Sequence, residues 1–75
     1  MVLKNELNNN EIKLLKSINI DVENKEYTIE DTSNIIDALD DAIHNSLDEN
    51  LNFTEKSIEY ERLQDKIIDL EDKID

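Results

Sequence analysis

The amino-acid sequence predicts a small all-α fold, a helical hairpin of two longer helices closed by a short N-terminal helix. Three observations predict it. No glycine or proline interrupts the 75 residues. Helix-capping signals stand at three places along the chain. After each of them apolar residues recur at intervals of three and four, the period of an amphipathic helix. A chain of this length makes one domain, residues 1–75, and buries only roughly 60% of the surface its unfolded form exposes. With no cysteine, neither a disulfide nor a thiolate-bound metal can add to so thin a core.

The first helix is signalled by Asn8 and Glu11, which stand at the N-cap and N3 positions of a capping box, with Leu7 and Ile12 at the staple positions around them. Ile12, Leu14 and Leu15 are expected to face inward. Ile18-Asn19-Ile20-Asp21-Val22 then alternates apolar and polar residues, an extended pattern with no partner strand in view. It is expected to be a loop that packs Ile18 and Ile20 and leads into the polar turn Glu23-Asn24-Lys25-Glu26.

The second helix begins at Thr28, with Asp31 as its capping-box partner and Glu30 favourable beside the positive helix end. Ile29, Ile36, Leu39, Ile43 and Leu47 share one face, flanked by Ile35 and Ala42, and the helix should end near Leu47. After the polar link Asp48-Glu49-Asn50-Leu51-Asn52, Thr54 caps a third helix, with Phe53 and Ile58 as its staple. Tyr60, Leu63, Ile67, Leu70 and Ile74 alternate steps of three and four, the narrow seam of a coiled coil or bundle, and Ile68 widens it. The seam is longer than one neighbour needs, so homodimerisation along it is one expectation.

Charge is the dominant functional signal. Twenty Asp and Glu against eight Lys and Arg give a formal net charge of -12, which repels nucleic acid and anionic membranes and attracts basic surfaces. From Glu26 through Glu55 there are nine acidic residues and no lysine or arginine. On a wheel of about 100 degrees per residue, Glu30, Asp37, Asp41 and Asp48 fall within about 40 degrees of one another, nearly opposite the apolar face, with Asp40 on their border. That stripe would run about 27 Å, and Glu49 in the following link extends it. The third helix intersperses Lys56, Arg62, Lys66 and Lys73 among its acids, and Asp69 with Lys73 makes a favourable four-residue pair. Its outer face reads as solvated.

Catalytic equipment is missing from the pattern. Without glycine no phosphate-binding loop can form, and no serine stands in a nucleophile-elbow or Ser-x-x-Lys context. The expectation is a protein that is not an enzyme and carries no cofactor or metal. One metal pattern is nonetheless in register. Asp48, Asn50, Asn52, Thr54 and Glu59 occupy positions 1, 3, 5, 7 and 12 of an EF-hand calcium loop. Position 6, which needs a sharp left-handed turn, is Phe53 instead of glycine, and a polar link followed by a Thr54 cap explains the same residues. Asp40, His44 and Asp48, four residues apart, would make only an open and weak metal site. No apolar run approaches the ~20 residues that span a bilayer, and Met1-Val2-Leu3-Lys4 gives way to polar residues rather than to a signal-peptide stretch. A cytoplasmic protein without a membrane role is expected.

Leu14-Leu15-Lys16, Ile20-Asp21, Asn24-Lys25, Tyr27-Thr28, Leu47-Asp48-Glu49-Asn50 and Asp65-Lys66-Ile67 resemble a group of short acidic proteins of low-GC Gram-positive bacteria and their phages and mobile elements. The resemblance covers most of the chain. It implies a bacterial or phage origin, where small acidic proteins act as inhibitors of larger host machines, and it supplies no site residues. Ile58-Glu59-Tyr60-Glu61-Arg62 is similar to the opening of small sporulation phosphatases, but their downstream Ser-Gln-x-Leu-Asp signature is missing here.

Together these readings predict a protein-binding module that uses Glu30, Asp37, Asp40, Asp41, Asp48 and Glu49 to occupy a basic site on a partner protein. That site could be one built for nucleic acid, with the carboxylates standing in for phosphates, while the module itself binds no nucleic acid. The alternatives are a structural or regulatory module self-associating through the seam of the third helix, and calcium binding by the degenerate loop 48–59.

Overall fold

The computed structural model describes residues 1–74, which contain a 3-10 turn at Leu3–Asn5 and three α-helices: α1, Asn9–Lys16; α2, Ile29–Asn45; and α3, Glu55–Glu71. The fold is the predicted all-α domain, with α2 and α3 packed as an antiparallel hairpin. Each helix starts where its cap predicts. The side chains of Asn8, Thr28 and Thr54 accept from the backbone N–H groups of Glu11, Asp31 and Ser57, and each of those three side chains bonds back to the cap. Each such cap is worth about 1 kcal/mol, since it satisfies N–H groups that the first turn leaves without an intrahelical partner.

Helix ends are managed without glycine. After α1, Ile20 N–H bonds Leu15 O and Asn19 N–H bonds Lys16 O, both at 3.0 Å, while Asn19 takes the left-handed conformation at φ 65°. This is the Schellman arrangement, and asparagine is the next best residue to glycine for it. α2 ends at Ser46, slightly before the expected Leu47.

The core is formed by Leu15 of α1, Ile35, Leu39, Ala42 and Ile43 of α2, and Tyr60, Leu63, Ile67 and Leu70 of α3. It is completed by segments with no helical signal. Val2 forms an isolated antiparallel bridge with Glu26 and Tyr27 N–H bonds Met1 O at 2.7 Å, so the first residues lie beside the segment leading into α2. That pairing carries Leu3 into full burial, and Leu7, Val22 and Tyr27 close the same side. Ile18 and Ile20 pack against the core as expected of their loop.

Two apolar expectations are corrected. Ile29 was expected on the inward face of the second helix, but it is the first residue of α2 and 49% exposed; Thr32, fully buried, takes the inward position in that turn. The buried face therefore centres on Ile35, Leu39 and Ile43. Ile68, expected to widen the seam of α3, is 41% exposed and stands outside its buried row. Tyr60, Leu63, Ile67 and Leu70 are all buried within the single chain, because both α2 and the N-terminal layer lie against them. The resulting domain is long and thin, 40 × 21 × 16 Å, and its two long helices keep their outer sides in solvent.

Polar contacts fix the hairpin at both ends. At its turn, Thr54 Oγ1 donates to Ser46 O at 2.8 Å, and the fully buried Ser57 hydroxyl donates to the same carbonyl at 3.1 Å. At the open end, the Thr32 and Ser33 hydroxyls approach Glu71 Oε2 at 2.7 and 3.1 Å. Between them Gln64 Nε2 donates to Ile36 O at 3.1 Å. α1 is tied to α3 by Lys66 Nζ on Glu11 Oε1 at 2.8 Å.

Candidate functional site

The buried residues of α2 set the direction of its outer side. With Thr32, Ile35, Leu39 and Ile43 turned inward, the rotation of about 100 degrees per residue points Glu30, Asp37 and Asp41 almost directly away from the core, and Asp40 to their flank. All four are exposed. Among the described residues none of the four is in an ion pair. Asp37 and Asp41 are one helical turn apart, so their like charges oppose each other.

Asp48 does not continue this row on the helix, which corrects the predicted 27 Å stripe. α2 has ended at Ser46, and the helical part of the row runs from Glu30 to Asp41, about 16 Å at ~1.5 Å per residue. Asp48 instead organises the link to α3. Its Oδ1 accepts from the backbone N–H groups of Asn50 at 2.8 Å and Asn52 at 2.9 Å, and its own N–H bonds Asn52 O at 3.0 Å. Glu49 is exposed beside it. The acidic set is thus a straight row on α2 and a second group on the link.

The same geometry bears on the calcium pattern. Leu51 at position 4, not Phe53 at position 6, adopts the left-handed conformation, with φ 62°. Thr54 is the N-cap of α3, so Glu59 is already in helix. Among the described residues no group of three or more His, Asp or Glu side chains is gathered where it could hold a metal ion. The Asp40, His44 and Asp48 set is not assembled either: Asp48 has left the helix, and His44 Nδ1 lies 2.9 Å from the backbone oxygen of Asp40.

Asp31, at the first turn of α2, has its carboxyl pKa held below the ordinary value. The Thr28 backbone N–H on its carboxylate is the main cause, opposed by desolvation and reinforced by the Thr28 hydroxyl and by Lys25, whose Nζ stands 3.8 Å away. This carboxylate is engaged in capping and is not part of the outer row.

No family model, curated protein or solved structure matches this chain.

A second acidic row was missed by the sequence reading of the third helix as merely solvated. Glu61, Asp65, Asp69 and Asp72 follow one another at steps of four, four and three and are all exposed, which aligns them along the outer side of α3. Among the described residues none of them is in an ion pair, including the expected Asp69 with Lys73. Two of the four interspersed cations are engaged elsewhere, Lys66 on Glu11 and Lys56 3.8 Å from Glu59, and among the described residues Arg62 and Lys73 are in no ion pair. Spacing alone could have shown this row, had the interspersed cations been assigned to the faces on which they fall. Among the described residues no helix is long and apolar enough to cross a membrane.

Proposed function

We propose that this chain is a non-enzymatic acidic protein-binding module of the cytoplasm, acting as an inhibitor of bacterial, phage or mobile-element origin that occupies a basic site on a partner protein. The observation that carries the reading is the row Glu30, Asp37 and Asp41, flanked by Asp40, exposed on α2 with no ion-pair partner among the described residues. Like charges held together cost stability through self-repulsion, and a complementary cationic surface removes that cost on binding. Asp48 and Glu49 widen the surface at one end, and the row on α3 adds a second negative edge.

A site built to receive phosphates suits this arrangement. Duplex DNA carries one charge per ~1.7 Å of axis, and four carboxylates over about 16 Å of α2 are sparser. The module therefore competes by complementary charge rather than by copying a duplex, and complementary charge acts chiefly on the rate of encounter. Binding to the basic partner should weaken as salt rises, because the Debye length falls from ~10 Å at 0.1 M to ~3 Å at 1 M. The testing experiment replaces Asp37 and Asp41 by lysine and measures partner affinity at 0.1 M salt. Loss of binding in a variant with unchanged helix content supports the assignment, and unchanged affinity overturns it.

A further inference from the structure

The end of the molecule that bears the link carries two features beyond its carboxylates. The first is an exposed apolar group. Leu51, held left-handed at φ 62°, is 76% exposed, Phe53 is 51% exposed and Ile58 is 41% exposed. Phe53 and Ile58 flank the start of α3 at the two staple positions, so they are neighbours there. A leucine in the left-handed region costs roughly 1–2 kcal/mol relative to ordinary backbone, and here that strained residue displays its side chain to water.

The second feature is a groove of about 520 Å³ between α1 and the first turns of α3. Its apolar lining includes Leu14 and Leu63, and Lys13, Lys56 and Arg62 stand around it. Glu11 and Glu59 line it too, Glu59 standing 3.8 Å from Lys56 and Glu11 bonded to Lys66, so the cationic character of the groove rests on Lys13 and Arg62. Among the described residues Lys13 and Arg62 are in no ion pair. Ile58 and Arg62 are one helical turn apart, so the apolar group adjoins the rim of the groove.

From this juxtaposition we infer that the end of the molecule bearing Leu51 and Phe53 is a two-fold interface between copies of this chain, the link of each copy seated in the α1/α3 groove of the other. The surface is self-complementary. The link offers apolar side chains preceded by Asp48 and Glu49, and the groove offers Leu14 and Leu63 with Lys13 and Arg62 at its rim. Because link and groove adjoin in one chain, a two-fold axis brings both pairs together at once, as an isologous interface requires. This interface is distinct from the buried row of α3, and it engages Asp48 and Glu49 of the link while leaving Glu30, Asp37, Asp40 and Asp41 on α2 free.

Salt separates this association from docking to a basic partner. Two chains of charge -12 repel over distances that salt screens, whereas the groove contacts are short and partly apolar. Self-association therefore strengthens from 10 mM to 300 mM NaCl, opposite in sign to binding through the acidic face. The test is sedimentation equilibrium of the full chain from roughly 5 µM to 1 mM, spanning the affinities of small transient interfaces. The expected result is a reversible rise from the monomer mass of 8.8 kDa towards twice that value. Phe53→Asp and Arg62→Glu should each weaken association at least tenfold with unchanged circular dichroism. Leu51→Asn, which suits a left-handed position, should also weaken it and keeps the test decisive if the Phe53 variant unfolds. A monomer across the whole range, or a dimer indifferent to the Leu51 and Arg62 changes, overturns the inference.

Discussion

The Thr32 hydroxyl lies 2.7 Å from Glu71 Oε2, joining the beginning of α2 to the last residue of α3. Thr32 is fully buried, so its hydroxyl needs a partner inside the protein, and the carboxylate also sits near the positive end of α2. Glu71→Ala should destabilise the domain by about 1–2 kcal/mol, the cost of losing a charge-assisted bond to a buried group. Glu71→Gln retains an acceptor and should cost less than half as much. Urea unfolding at neutral pH distinguishes the two, and Thr32→Val gives the other side of a double-mutant cycle.

Leu51→Gly should stabilise the monomer. Residue 51 is left-handed, glycine adopts that conformation without a Cβ clash, and the gain is partly offset by the greater freedom of glycine in the unfolded chain. A net rise of about 0.5–1 kcal/mol is expected, measured at low concentration to exclude self-association. The same change at Asn19 should yield less, since asparagine already tolerates its φ of 65°.

Acid should unfold the protein partly through Asp31. Its carboxyl is depressed below the ordinary value of 3.8, first by the Thr28 backbone N–H. The sign follows from linkage: the stabilisation it gives is fully present above pH 3.8 and is lost as the pH falls through the lower folded value. Asp31→Asn should therefore be less stable than the parent at pH 7 and should approach it below pH 3.8. Thermal unfolding as a function of pH reads both ends of that comparison.

How far the sequence shows this fold depends on the range of each interaction. The pairs Asn8 with Glu11 and Thr28 with Asp31 are legible because cap and partner are three residues apart and need no tertiary contact. Leu3 and Tyr27 are not legible as core, since their burial follows from the bridge between Val2 and Glu26, a pairing with no periodic signal. The acidic site is legible from Glu30 to Asp41. Its extension to Asp48 fails because a wheel continues any helix indefinitely, whereas Ser46 ends this one. The row on α3 was obscured by counting cations along the chain. Lys66 is sequence neighbour to Asp65 but is bonded to Glu11 on another helix.

Repulsion along α2 should be visible in stability. Asp37→Asn or Asp41→Asn removes a like-charge pair one turn apart and should stabilise by about 0.2–0.5 kcal/mol at low salt. The gain should shrink in 0.5 M NaCl, where screening already relieves the pair. Thermal melts of parent and variants at the two salt concentrations provide the comparison.

Affinity capture from a bacterial lysate with the parent chain and with the Asp37→Lys/Asp41→Lys variant, in 0.1 M NaCl followed by elution at 1 M, tests the docking role of the acidic face most directly. A cationic protein held by the parent, released by salt and not held by the variant is the predicted result. The same protein held equally by both chains contradicts the account.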